Sequence, residues 1–358
     1  MVRYSIIVPV FNRPDEVDEL LDSLTRQTAK DFEVIIVEDG SERTCKDVCD
    51  RYADKLVLHY YYKENSGPGQ SRNYGAERAQ GDWLIVLDSD VVLPEGYLQS
   101  VECSTESVEF ADAFGGPDAS HPSFTPVQKA ISYSMTSFFT TGGIRGGSSP
   151  LGGDKRAALD KFYPRSYNMG IRREVYQQLG GFSKMRFGED IDFSYRIVEA
   201  GYKTALIPEA WVWHKRRTDL RKFFRQVYNS GIARINLEKR HPGTLKLVHL
   251  LPTVFTVGVI FLALLFTGGL MAASFGSPTV KAGGTLLCQL ALLPLLLYSL
   301  ITFVDSAIKN RSLHVGLLSI PAAFVQLMGY GLGFIESWWK RCILKQDEFQ
   351  AFEKNFYS

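Results

Sequence analysis

The chain opens with short apolar runs that stop abruptly at polar residues, separated by stretches with a helical repeat. Residues 4–12, "YSIIVPVFN", are such a run, ending at Asn12. In 14–27, "PDEVDELLDSLTRQ", Val17, Leu20, Leu21 and Leu24 fall at i, i+3, i+4 and i+7, one face of a helix. Pro14 suits its first turn, and Asp15 and Glu16 suit the positive end of its dipole. "FEVIIVEDGS" (32–41) is a second apolar run ending in a turn. The pattern then predicts a helix near 43–53, a strand near 56–62, a glycine-opened helix over 67–81 and a fourth strand over 83–88. The runs are continuous rather than alternating, which suits strands buried on both faces. Alternation with helices predicts an α/β domain with a mostly parallel sheet covered on both sides.

The pattern changes near residue 247. No Asp, Glu, Lys or Arg occurs from Leu247 to Val280, from Ala282 to Val304, or from Ser312 to Ile335. Each window can cross roughly 30 Å of hydrocarbon as a helix. Spans are expected near 248–270, 284–304 and 313–335, of which "TLLCQLALLPLLLYSLITFV" is the clearest. Pro321 and several glycines suggest a break or re-entrant turn in the last. The expected organisation is an α/β domain over 1–214, a neck over 215–246, two to three transmembrane helices over 247–337, and an amphipathic tail over 338–358. Trp338 and Trp339 would lie at the interface.

Charge sharpens this division. Lys+Arg is 40 and Asp+Glu is 39, a net +1 that argues against a nucleic-acid binder. Residues 215–246 nevertheless carry ten Lys/Arg against two acids, interleaved with Phe223, Phe224, Val227, Tyr228 and Ile232. A basic, aromatic stretch beside a span reads as an interfacial segment on anionic lipid. It also places that side in the cytoplasm. The expectation is an integral protein of a bacterial inner (plasma) membrane with a cytoplasmic α/β domain. The opening "MVRYSIIVPV" is interrupted by Pro9 and lacks a cleavage site, which argues against a signal peptide. The five cysteines form no CxxC pair, which argues against a zinc site and leaves a disulfide framework unsupported.

In open α/β sheets, ligands bind outside the carboxyl ends of the strands. Asn12, Asp39 and the pair Asp88/Asp90 all sit where runs end. No GxGxxG follows the first strand, so a dinucleotide fingerprint is absent. Asp88 and Asp90, two apart on an extended segment, point to one side. Oxygen ligands of this kind suit Mg2+ or Mn2+, ions that bridge carboxylates to substrate phosphates. Taken alone, a DxD is also a common surface turn.

It does not stand alone. "VPVFNRP", "VEDGS", "NSGPGQSRNYGAERAQGDWLIVLDSDV", "YNMGIRREVYQQLGGF" and "FGEDIDFSYRIVEAGYK" occur in this order. Together, over about residues 4–235, they resemble the family-2 glycosyltransferases, enzymes with the GT-A nucleotide-sugar-binding fold. The resemblance implies a GT-A catalytic domain over 1–214. It implies that Pro9 and Phe11 line a nucleoside pocket and that Asp39 meets the base. Glu38 stands where many members have Asp, leaving the base open. Arg72 would sit near the diphosphate. Asp88 would meet the ribose and share the metal with Asp90, with Ser89 between them at the donor. Glu189 and Asp190 match the ED motif, with Asp190 as general base and Asp192 its nearest rival. His214 matches a late metal ligand, though it equally suits a basic membrane-proximal turn. Gly180-Gly181-Phe182 would end a helix beside the donor sugar. The loop over 142–153 would close over the donor or serve as a linker, and Arg145 in it would meet phosphate.

The implied activity is that of a metal-dependent, hexosyltransferase-type inverting enzyme using Mn2+ or Mg2+. It would move a single sugar from a nucleotide-sugar donor, UDP- or GDP-linked, to a hydroxyl of a lipid-linked or cell-surface glycan. Its partners would be donor, acceptor and membrane lipid, and not nucleic acid. A processive polysaccharide synthase would carry a QxxRW-type motif, whereas the comparable place reads "RQVYNSGIAR". A polyprenyl-phosphate sugar transferase would accept on phosphate and leave "GED" without a task. A non-catalytic, membrane-tethered nucleotide-binding protein would have no need of intact DxD and ED sets.

Overall fold

The computed structural model describes residues 2–106, 110–121, 123–142 and 162–348. They divide into two compact units. One holds the described residues up to 121 and 162–215; the other holds 123–142 and 216–347.

The first unit is built from β1 (Tyr4–Val10), α1 (Pro14–Thr25), β2 (Phe32–Asp39), α2 (Lys46–Asp50), β3 (Leu58–Lys63), α3 (Pro68–Ala76), β4 (Trp83–Leu87), β5 (Val91–Val92), α4 (Tyr97–Thr105), β6 (Ala113–Gly115) and β7 (Asp118–Ala119). The second unit's α5 (Pro126–Thr136) and α6 (Phe138–Thr141) intervene before β8 (Asn168–Arg172), α7 (Arg173–Gln178), α8 (Glu189–Glu199), β9 (Thr204–Leu206) and β10 (Val212–His214) return to the first. A seven-stranded sheet runs in the order β3-β2-β1-β4-β8-β6-β9. β1 is parallel to β2 and β4, whereas β8 is antiparallel to both of its neighbours. The sheet is therefore mostly parallel. The face with Ile6, Val8, Val34 and Ile36 buries Leu20, Leu21 and Leu24 of α1. The opposite face, with Ile7, Ile35, Leu84 and Val86, packs with Val175 of α7 and with Phe193 and Ile197 of α8. All five residues of β4 are buried, which is why that run is apolar without alternation.

The second unit continues with α9 (Leu220–Arg240), a 3-10 turn (Leu247–Leu250), α10 (Leu251–Phe275), α11 (Pro278–Asn310), α12 (Leu313–Trp338) and a π-helical turn (Trp339–Ile343). Among the described residues, Leu247–Phe275, Pro278–Asn310 and Leu313–Ile343 are long and apolar enough to cross a membrane. The first two windows are 11% buried and the third 50%, so the third is the inner helix of this unit.

α12 runs without a break through Pro321, contrary to the interruption that its proline and glycines suggested. Those glycines serve packing instead. A Cβ on Gly333 would lie 2.1 Å from the Tyr228 carbonyl oxygen, and one on Gly231 would lie 2.1 Å from that of Tyr330. Small residues let α9 and α12 approach backbone to backbone, the way helices associate when the surroundings are as apolar as their side chains.

Residues 123–142 group with this unit because the inner face of α5 is apolar. Ile131 and Met135 bury with Phe223 and Val227 of α9, and Ala130 with Val315 and Ala322 of α12. The α/β domain expected to run unbroken over 1–214 thus has a helical segment of the other unit inserted in it. Of the expected tail, the π-helical turn reaches Ile343 and 344–348 are not helical; 349–358 lie outside the described residues. The five cysteines are free.

Candidate active site

β4 delivers Asp88, Ser89 and Asp90 to the carboxyl edge of the sheet, and β5 follows at once. β5 pairs antiparallel with β10, setting His214 opposite Val91. The Lys215 amide donates to the Asp90 carbonyl oxygen at 3.0 Å. This register fixes His214 against the acids: its Nε2 lies 3.2 Å from Asp90 Oδ1. Asp88, Asp90 and His214 each present a ligand atom within 4.8 Å of the others. The His214 ring stacks on Tyr167 with centroids 5.0 Å apart, and its Nδ1 lies 3.8 Å from Asp118 Oδ2. Two carboxylates and an imidazole converging on one point form a donor set that fits a divalent cation.

Arg13, the residue after Asn12, donates from Nη1 to Asp90 Oδ2 at 2.7 Å. Burial opposes its charge, but Asp90, Glu16 and Asp88 raise its pKa beyond the usual arginine range. Sequence reasoning did not single it out. The available signal was a cation set directly behind a strand end that faces two acids. Asn12 holds this corner with a left-handed backbone (φ 54). Its Oδ1 accepts from the Glu42 and Arg43 amides, both at 2.9 Å, and its own amide donates to Ser41 Oγ at 2.7 Å.

α3 begins after Gly67, whose φ of 88 suits glycine. It carries Arg72, whose side chain is only 3% exposed. Arg72 Nη2 donates to Asp88 Oδ1 at 2.9 Å and Nη1 donates to Glu189 Oε1 at 3.0 Å. The guanidinium lies over the Phe182 ring, 5.1 Å from its centroid. In this structure Arg72 is a bridge between two acids. Phe182 is presented by Gly180 and Gly181, which end α7 with φ of 71 and 65, the left-handed turn that the sequence implied.

α8 starts at Glu189 after a left-handed Gly188. Burial pushes the Glu189 carboxyl up from 4.5 to about 7; Arg72 pulls it down and Asp190 adds to the rise. Asp190 is more open, its side chain 24% exposed and 3.7 Å from Arg165 Nη1. Asp192 is buried; its Oδ2 accepts from Ser183 Oγ at 2.8 Å and from Arg196 Nε at 3.0 Å. It ties the start of α8 to the preceding loop.

At the neighbouring strand ends, Pro9 lies on β1 in register with Val37, and Phe11 follows the strand, partly buried. Glu38 is fully buried. It accepts from the Cys45 amide at 2.8 Å, from the Cys45 thiol at 3.0 Å and from Tyr60 OH at 3.3 Å, and it also takes the Ser41 hydroxyl. Here the Glu38 carboxylate organises the loop after β2. Asp39 accepts from the Ser66 amide at 2.9 Å, the Gly67 amide at 2.8 Å and the Lys63 ammonium, so its carboxylate pins the loop before α3. Ser89 is buried between the two acids. The structure thus gathers Arg72, Asp88, Asp90, Glu189, Asp190 and His214, with Pro9, Phe11 and Asp39 on adjacent strand ends. Arg145 and residues 143–153 lie outside the described residues.

Residues 5–180 match the family model "Glycosyl transferase family 2". An uncharacterized glycosyltransferase of Haemophilus influenzae is 32% identical over 200 residues, 54% of this chain and 62% of that one. The validoxylamine A glucosyltransferase of Streptomyces hygroscopicus subsp. jinggangensis is 28% identical over 239 residues, 58% of this chain and 54% of that one. The chain thus spans about half to three fifths of the length of these relatives. A mannosyltransferase from Pyrobaculum calidifontis, solved with GDP-Man and Mn2+, superposes with a TM-score of 0.58 over 95% of this chain and 88% of that one. At 16% identity, that likeness shows the fold. Residues 5–180 thus carry a family-2 glycosyltransferase domain, of the GT-A-type α/β fold, and the chain continues into helices apolar enough to span a membrane.

Proposed function

We propose that this protein is a membrane-anchored, metal-dependent, inverting glycosyltransferase. It moves a single sugar from a nucleotide-sugar donor, UDP- or GDP-linked, to a hydroxyl of a lipid-linked or cell-surface glycan. One observation carries the reading: Arg72 touches Asp88 and Glu189 at once, so the DxD and ED sets meet at one guanidinium.

Asp88, Asp90 and His214 would hold the cation, Mn2+ or Mg2+. When bound, it supplies positive charge that neutralises the departing nucleoside diphosphate. Asp88 also reaches the ribose, with Ser89 beside it. Pro9 and Phe11 flank the nucleoside, and Asp39 shapes that pocket through the loop it pins. Asp190 is the general base, taking the proton of the acceptor hydroxyl as oxygen attacks the anomeric carbon. A single base opposite the leaving group leads to inversion. The partners of Asp192 support Asp190 in this role, because Asp192 is already committed to Ser183 and Arg196. Glu189 neighbours the base, and Arg72 balances its charge.

The three apolar helices support anchoring, and the basic α9 supports contact with anionic lipid. Bacterial relatives and the neck's ten basic residues support an inner-membrane protein with a cytoplasmic catalytic unit.

The test is Asp190→Asn. Donor binding should stay close to wild type while transfer falls by about 10²–10⁴, the usual worth of a general base. Near-normal turnover would remove Asp190 from its role.

A further inference from the structure

Arg13 is a cation placed on the very carboxylate that the metal reading needs. Its Nη1 lies 2.7 Å from Asp90 Oδ2, while His214 Nε2 lies 3.2 Å from Asp90 Oδ1, so both oxygens of Asp90 already face a nitrogen. An ion held by Asp90 would stand close to a guanidinium that cannot shed its charge. Two like charges this close, beside a carboxylate only 10% exposed, repel.

We propose that Arg13 is a built-in counter-cation of the metal site. It holds Asp90 when no divalent ion is bound, and it releases Asp90 to pair with a phosphate of the nucleotide when ion and nucleotide enter together. This rests on reading Asp88, Asp90 and His214 as metal ligands.

The local structure allows such an exchange. The backbone at Arg13 is fixed, because Asn12 before it is tied to Ser41, Glu42 and Arg43, and Pro14 after it opens α1. Only the side chain need turn, and it is 32% exposed. Asp90, 10% exposed at its side chain, would be costly to leave without a cation, so something positive has to stay beside it before loading. A guanidinium matches a phosphate edge as well as a carboxylate edge. The exchange therefore trades one charge-assisted pair for another of the same kind. One consequence is ordered loading: free metal competes with Arg13 for Asp90, whereas metal arriving with a diphosphate gives Arg13 a new partner.

The full chain in detergent, titrated with Mn2+ and read by the EPR signal of the free ion, tests this without any measurement of turnover. Wild type should bind Mn2+ weakly alone and more tightly with UDP or GDP present. Arg13→Gln should bind Mn2+ alone on the order of tenfold more tightly, because the competing charge is gone. It should gain little from nucleotide, because the phosphate partner is gone as well. Arg13→Lys should resemble wild type. A gain in affinity cannot come from misfolding. If wild type binds Mn2+ with nucleotide but Arg13→Gln binds free Mn2+ no better than wild type, the counter-cation role is wrong and the metal site stands. If wild type binds no Mn2+ even with UDP and GDP, the metal reading itself fails and takes this proposal with it.

Discussion

Arg72 and Glu189 are 117 positions apart in the sequence, yet their side chains meet at 3.0 Å. The other arm of the same guanidinium holds Asp88 at 2.9 Å. One buried cation thus joins the acids after β4 to the acids that open α8. Removing it leaves Glu189 buried without its counter-charge. Arg72→Ala should lower stability by about 3–5 kcal/mol, read by chemical denaturation of the purified chain. Arg72→Lys keeps the charge but lacks the fork that spans two carboxylates, so it should recover only part of the loss. Equal stability of wild type and Arg72→Ala would show that the bridge contributes nothing.

Glu189 gives stability a pH dependence with a definite sign. Its carboxyl is raised from 4.5 to about 7 in the fold, chiefly by burial. The folded state therefore holds the proton more tightly than the unfolded chain. The resulting stabilisation is complete below pH 4.5 and is lost as pH rises through about 7. Glu189→Gln carries no titrating group, so its melting temperature should gain on that of wild type across this window. Parallel melting curves for the two proteins would contradict the assignment.

Asp192 and Asp190 are separated by what each touches. Asp192→Ala strips Ser183 and Arg196 of a buried acceptor and should cost about 1–3 kcal/mol. The folded fraction should still transfer sugar. Asp190→Asn should do the reverse, sparing the melting temperature and cutting transfer by about 10²–10⁴. Paired thermal melts and transfer assays on both variants read the difference; a swap of the two phenotypes would make Asp192 the base.

Asp39 holds the loop that leads into α3. Asp39→Ala leaves the Ser66 and Gly67 amides without their acceptor, a loss of about 1–3 kcal/mol. Because that loop leads to Arg72, nucleotide affinity should fall with stability. The check is isothermal titration with UDP and GDP beside a denaturation curve; unchanged stability would mean that the loop does not depend on this carboxylate.

Much of this was legible in the sequence because it depends on local pattern. The continuous run at 83–87 announced a strand buried on both sides, and Val17, Leu20, Leu21 and Leu24 announced the buried face of α1. The acids at 88 and 90 were visible because strand ends are where α/β sheets bind ligands. The placement of His214 beside Asp90 was implied by the family resemblance alone, because it depends on the antiparallel register of two short strands more than a hundred residues apart. Arg13 was passed over because a cation behind a strand end points to Asp90 only once β1 and β4 are known to be neighbours. The α5 segment reads as part of the α/β domain until its partners, Phe223 and Val227, are known. Pro321 and the α12 glycines read as helix breakers because composition cannot tell a break from a tight helix–helix contact.

The central claim is that Asp90 holds a divalent ion together with the diphosphate of the donor. The direct measurement is the thermal shift of wild type and Asp90→Ala with UDP-, GDP- and dTDP-sugars, each with and without Mn2+. One donor should raise the wild-type melting temperature only when Mn2+ is present, and Asp90→Ala should show no such rise. Stabilisation that survives in Asp90→Ala, or a wild type that responds to no donor, would contradict the account.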